Sequence, residues 1–235
     1  MFNPVFCLNA PASLGLKAIA FTLHQLCNQA RSEALGTSLD RLRSELQIQA
    51  SLSQMQGFSD LRLRMGRSPK RFPASPQALL DQYLRMGKLR EISPVVDLYN
   101  HWSLHSGLSI GAHDLRRIKL PVTLDICQGD EAFHALGSDA AVTLPSGEYA
   151  YFDARGQVLC RMEYRQCAAT ALQADTSAAL FIVQGHPDTD LAYLQRTAER
   201  LKLDLMRCCV LGARRAANQP LAPRETSYRG ELARE

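Results

Sequence analysis

The chain has 235 residues, 46% of them hydrophobic and 21% charged, with a formal net charge of +4. At ~150 residues per domain this is one large domain or two small ones, and the apolar fraction suffices for a packed core, which excludes wholesale disorder. No apolar run approaches the ~20 residues a membrane-spanning helix needs, so no membrane partner is expected, and Met1-Phe2-Asn3-Pro4-Val5 lacks the basic cluster and apolar stretch of a signal peptide. Seven cysteines without regular spacing, with Cys208-Cys209 adjacent, point to reduced thiols in a cytoplasmic setting.

Lys17 to Leu26 holds a short apolar run, Ala18-Ile19-Ala20-Phe21, that reads equally as a strand or a buried helix. Leu35, Leu39, Leu42 and Leu46 recur at helical spacing, predicting an amphipathic helix over 33–50. Residues 61–90 carry Arg62, Arg64, Arg67, Lys70, Arg71, Arg85, Lys88 and Arg90 against the single acid Asp81. Such a local excess attracts a polyanion, with an affinity that falls steeply with salt. A solvated helix face balanced by carboxylates elsewhere in the fold is the plainer alternative.

Two helices follow with matching punctuation. Ser75-Pro76 opens the first and Gly87 closes it; Ser93-Pro94 opens the second and Gly107 closes it. From Pro121 the pattern alternates. Val122–Ile126, Glu148–Phe152 and Val158–Met162 read as strands, the last two joined by a hairpin connection containing Gly156. Ala178–Val183 reads as a buried strand, and Leu191, Leu194, Ala198, Leu201 and Leu205 as a helix behind the capping candidate Asp188. Helices, then a block of strands, then a helix, is the order of an α+β fold. The tail from Gly212 shows no periodicity and is expected to be loosely ordered.

The common cofactor motifs are missing: there is no phosphate-binding loop, dinucleotide fingerprint, nucleophile elbow or paired CxxC. His101 and His105 sit four apart on one helix, with His113 as a third nitrogen, so a metal hydrolase is the weakest of three readings; Trp102 stands where the zinc-protease pattern needs a glutamate. Cys208-Cys209 at the end of an apolar helix reads as two small buried hydrophobes. If Arg161–Gln166 continues as a strand, Arg161, Glu163 and Arg165 share one face. That face is either a surface ion-pair ladder or a grip on a charged substrate.

Several segments resemble a known family. Pro94-Val95-Val96-Asp97-Leu98-Tyr99-Asn100, then Gly107, then Gly111-Ala112-His113-Asp114-Leu115 is similar to the signature of the B3/B4 domain. That domain is the tRNA-editing module of the phenylalanyl-tRNA synthetase beta subunit and also occurs as free-standing proteins. Phe72–Leu80 is similar to its pre-helix motif, and Ser146-Gly147-Glu148, Asp153 and Val158–Arg165 to its hairpin. The resemblance spans 57–210. It implies a B3/B4-like α+β fold, with a mixed, largely antiparallel β-sheet and helices packed around it. Residues 1–56 are then an N-terminal strand and helix of the same globule, 57–210 the editing domain, and 211–235 the tail. Nothing resembles a synthetase catalytic core, so the expected form is the free-standing one.

The resemblance implies hydrolysis of the ester joining a wrong amino acid to the tRNA 3′ end, with aminoacylated tRNA as partner, no metal or other cofactor and no obligate protein partner. Such an ester asks for a positioned water, donors aimed at the oxyanion and a selective pocket. The implied catalytic residues are Asn100, His113 and Gln166; the substrate would meet Asp97, Ser103, Asp114, Glu163, Arg161 and Arg165; the RNA backbone would meet Arg62, Arg64, Arg67, Lys70 and Arg71. Gly111 stands where the synthetase form has a histidine, and Ile182 where it has the glutamate that reads a tyrosine hydroxyl. A related pocket with altered specificity follows. Free-standing relatives implicated in clearing canavanine from arginine tRNA make a guanidinium-like side chain a candidate, with Asp97, Asp114 or Glu163 as its carboxylate. The alternative is a non-catalytic module that binds tRNA or an amino acid.

Overall fold

The computed structural model describes residues 4–211. Its centre is β10 (Ala178–Gly185), flanked by β2 (Lys17–His24) and β3 (Ser109–Asp114), both antiparallel to it, in a three-stranded sheet. The run at Lys17–Leu26 is therefore a strand. Alternation along β10 gives the sheet two different faces. Phe181 and Val183 point with Ile110 and Ala112 into a core shared with α1 (Glu33–Ser44), α4 (Pro94–Ser106) and α5 (Leu191–Cys209). Leu180 and Ile182 point the other way, into a core shared with a second sheet.

That second sheet has the order β1 (Phe6–Leu8), β4 (Val122–Ile126), β7 (Tyr149–Phe152), β8 (Val158–Arg161) and β9 (Arg165–Gln166). Only β1 and β4 run parallel. A short pair, β5 (Ala132–Phe133) and β6 (Val142–Thr143), stands apart. The fold is α+β with mixed, mostly antiparallel sheets, layered as sheet, sheet and helices. α2 (Ile48–Arg64) and α3 (Ser75–Met86) close its side, with Met55, Leu80, Leu89 and Leu104 in a small core of their own.

Several expectations need correction. The helix expected over 33–50 is two helices: α1 stops at Ser44 and α2 starts at Ile48. Leu46 continues the leucine spacing but packs into the small core beside Ile48 and Leu52, not with Leu35, Leu39 and Leu42. Ala74 caps α3, leaving the Ser75 hydroxyl free to bond Ser109 Oγ at 2.8 Å. Asp190, not Asp188, caps α5, accepting from the Tyr193 amide. β3 precedes the expected strand block, hidden in sequence by the glycine at its middle. The boundary drawn between 56 and 57 falls inside α2, and β2 is an integral strand of the central sheet. Beyond Leu211 the expected tail lies outside the described residues.

Candidate functional site

A cavity of about 180 Å3 opens where α4, the β3–β10 pair and the tip of the β8–β9 hairpin meet. Gly107 makes this junction. Its φ is +69°, and a Cβ there would lie 2.6 Å from the Ser51 carbonyl oxygen, so only glycine turns the chain sharply from α4 into β3. Tyr99 and Asn100 on α4 then overlook Ser109, Gly111 and His113, which alternate on one face of β3. Across the sheet, Ile182 pairs with Gly111 and Gln184 with Ser109, and both β10 side chains also line the cavity. Tyr151, Cys160 and the 163–166 segment form the opposite wall.

The stretch Arg161–Gln166 is a tight hairpin rather than a continuous strand. Met162 has φ +51°, Tyr164 N donates to Arg161 O, and Arg161 pairs with Arg165 across the turn. The expected common face of Arg161, Glu163 and Arg165 therefore does not exist. The turn swings Glu163 inward, where it is 2% exposed. Its carboxylate accepts from Arg62 and Tyr149, and from Gln184 Nε2 at 3.2 Å. Gln184 Oε1 in turn accepts from the Tyr151 hydroxyl. Arg161 instead grips Glu148 with two bonds of 2.7 and 2.8 Å, and Arg67 also reaches the same carboxylate.

Burial works against the charge on Arg62, but Glu163 and Tyr149 outweigh it and raise the guanidinium pKa, so Arg62 stays charged. Burial raises Tyr149 and Tyr151, keeping both phenols protonated, and likewise pushes up the Cys160 thiol. A thiol in that state is a poor nucleophile. His113 is pulled down to about 4 by burial and is neutral at pH 7. Its Nδ1 meets Thr170 Oγ1 at 2.8 Å and Gln166 Nε2 at 3.5 Å.

Of the residues expected at the site, Asn100, His113, Glu163, Arg165 and Gln166 come together at this cavity. Gln166 donates to the Ala112 carbonyl at 2.8 Å, locking hairpin to sheet. No hydrogen bond engages the Asn100 side chain among the described residues. Asp97, Ser103, Asp114 and Arg161 do not line the cavity. Asp97 is buried against Arg31 and the Ile92 amide; Asp114 accepts from Arg116 and Thr176; the Ser103 hydroxyl donates to Leu108 O. Each of these three side chains is engaged by the fold.

Arg62 is no RNA ligand either, being 1% exposed. Arg64, Lys70 and Arg71 are exposed, whereas Arg67 is half-buried on Glu148. His101 bonds the Asp97 carbonyl and His105 packs edge-on to Trp102, so with His113 in the cavity the three rings do not gather. Among the described residues no three His, Cys, Asp or Glu side chains are placed to hold a metal, and no helix is long and apolar enough to cross a membrane. Cys208 and Cys209 are buried in the helical core.

Sequence reading missed Ser75, Tyr99, Ser109, Tyr151 and Gln184 as lining residues. A signal existed for two of them. Gln184 is the one strongly polar side chain in the apolar run of β10, and Tyr149 and Tyr151 repeat at the period of a strand face.

Residues 59–204 match the family described as the B3/4 domain. Among solved structures, an N-terminal fragment of the phenylalanyl-tRNA synthetase beta subunit from Pyrococcus horikoshii is similar at 16% identity, with a TM-score of 0.42. That similarity covers 49% of this chain and 41% of the fragment, so the chain spans less than half of it. No curated protein matches.

Proposed function

The chain belongs to the B3/4 domain family, and on that premise we propose that it is a cytoplasmic aminoacyl-tRNA deacylase, acting in trans, that hydrolyses the ester of a mischarged or non-protein amino acid. The observation that carries this reading is the cavity itself. Asn100 and Gln166 both line it, and the space above Gly111 is open.

In this reaction water adds to the acyl carbon, the bond to the ribose oxygen breaks, and a proton passes to that oxygen. An activated ester needs orientation and oxyanion stabilisation more than a protein nucleophile. Asn100, unengaged by the fold, has both a donor and an acceptor for water or the acyl oxygen. Neutral His113 serves as a hydrogen-bonding group rather than as a proton carrier, and Gln166 fixes the wall on which the ester rests. Exposed Arg64, Lys70 and Arg71 would meet tRNA phosphates.

Incubating the protein with a panel of mischarged tRNAs tests this reading. The expected result is loss of at least one ester well above its spontaneous rate; no acceleration on any of them overturns it. A non-catalytic binding module is favoured by Gly111 and Ile182, which face each other where the resembled form carries two editing side chains. Tight, salt-sensitive tRNA binding with unchanged ester lifetime would support that second reading.

A further inference from the structure

The carboxylates around the cavity are all committed to arginines. Glu163 is the one carboxylate in its lining, and three of its roughly four acceptor positions are filled, by Arg62, Tyr149 and Gln184. Beyond the lining, Glu148 holds Arg161 and Arg67. Arg165 stands at the mouth, exposed, with its guanidinium over the Tyr164 ring. Neutral His113 adds no charge.

The unoccupied capacity inside is uncharged: the Asn100 carboxamide, the Ser75–Ser109 hydroxyl pair and the Gln166 carbonyl oxygen, beside Ile182 and the open face of Gly111. A cationic side chain entering here would leave water without gaining a counter-ion and would approach Arg165. Removing a charge from water without a partner costs several-fold more than removing a hydroxyl or amide that finds one. We propose that the cavity selects its amino acid by charge: it accepts a neutral polar side chain and rejects a cationic one of the same shape. This rests on the deacylase reading for where the amino acid sits, but binding alone tests it.

Citrulline and arginine are nearly isosteric, and only arginine is charged. Each is joined by a non-hydrolysable amide to the 3′ position of adenosine, and both carry the same α-ammonium group, so their difference isolates the side chain. Calorimetric titration of the intact protein is expected to show the citrulline conjugate binding at least tenfold more tightly. Equal affinity, preference for arginine, or no binding of either would overturn the proposal. Gly111→Asp gives a second readout, since a Cβ at Gly111 meets no atom within 4 Å and the new carboxylate would stand unpaired in the cavity. It is expected to shift the affinity ratio toward arginine at least tenfold, while Gly111→Asn leaves it unchanged; an unshifted ratio in folded Gly111→Asp overturns the charge argument. If the citrulline preference holds but no mischarged tRNA, citrullyl-tRNA included, is hydrolysed above its spontaneous rate, the catalytic reading fails and the selectivity stands.

Discussion

Arg62 on α2 and Glu163 at the hairpin tip form an ion pair in which both side chains are 1% exposed. The most basic stretch of the chain thus sends one of its arginines inward, to the wall of the cavity. Tyr149 bonds both partners, Arg62 Nη1 at 2.7 Å, and Arg62 Nε reaches the Phe72 carbonyl at 3.2 Å. The pair therefore ties α2, β7 and the segment before α3 to the turn at Met162. It also neutralises the carboxylate that would otherwise dominate the pocket.

Breaking one half of such a pair leaves a buried, uncompensated charge, which costs ~3–5 kcal/mol. Arg62→Met is expected to lower stability by that amount in urea unfolding. Combining it with Glu163→Gln should recover part of the loss, because the orphaned charge goes too. If Arg62→Met costs no more than Arg64→Met on the same helix, the buried pair is not the tie described.

His113 gives the fold a pH dependence of defined sign. Its folded pKa, about 4, lies below the ordinary value of 6.5, so between those values the unfolded chain binds a proton that the folded one does not. Stability is then full above pH ~6.5 and falls as pH drops toward 4, by ~3 kcal/mol at most. Burial also lowers His101 and His105, which adds to the same trend. Melting temperatures from pH 7.5 to 4.5 should fall, and His113→Gln should flatten part of the slope; an unchanged slope in that variant would remove His113 from the account.

Local chemistry made much of the scaffold legible. Gly87 and Gly107 ended helices as expected because a left-handed residue with no Cβ is a local requirement. The alternation in β4, β7 and β8 likewise announced half-buried strands. Partnerships across long sequence distances were not legible. Nothing near Arg62 signals that Glu163, 101 positions away, will hold it. Met162 in left-handed backbone breaks no sequence rule, yet it converts an expected strand face into a turn and sends three charged side chains in different directions. Asp97 and Asp114 look the same in sequence whether they face a substrate or Arg31 and Arg116.

Asn100 separates function from folding. It is half-buried, lines the cavity and has no side-chain hydrogen bond among the described residues, so Asn100→Ala should change stability by no more than ~0.5 kcal/mol. If its carboxamide orients water or the oxyanion, the same change should slow ester hydrolysis ~10²–10³-fold. Single-turnover hydrolysis beside a thermal melt reads both. A folded variant with undiminished rate would take Asn100 out of the chemistry.

The exposed basic side chains divide into those able to reach RNA and those already occupied. Removing one side chain that neutralises a phosphate should lower the slope of log affinity against log salt by roughly 1. Arg64→Ala, Lys70→Ala and Arg71→Ala together are accordingly expected to reduce that slope by about 2–3 and to weaken tRNA binding most at low salt. Arg67→Ala is the internal control: its guanidinium is committed to Glu148, which keeps Arg161 as a partner when Arg67 is replaced. Filter binding over a salt series would therefore show the triple variant flattened and Arg67→Ala near wild type. If Arg67→Ala flattens the line as strongly as the triple variant, the RNA follows the side of the molecule holding Glu148 and Arg161, and the exposed set is bystander charge.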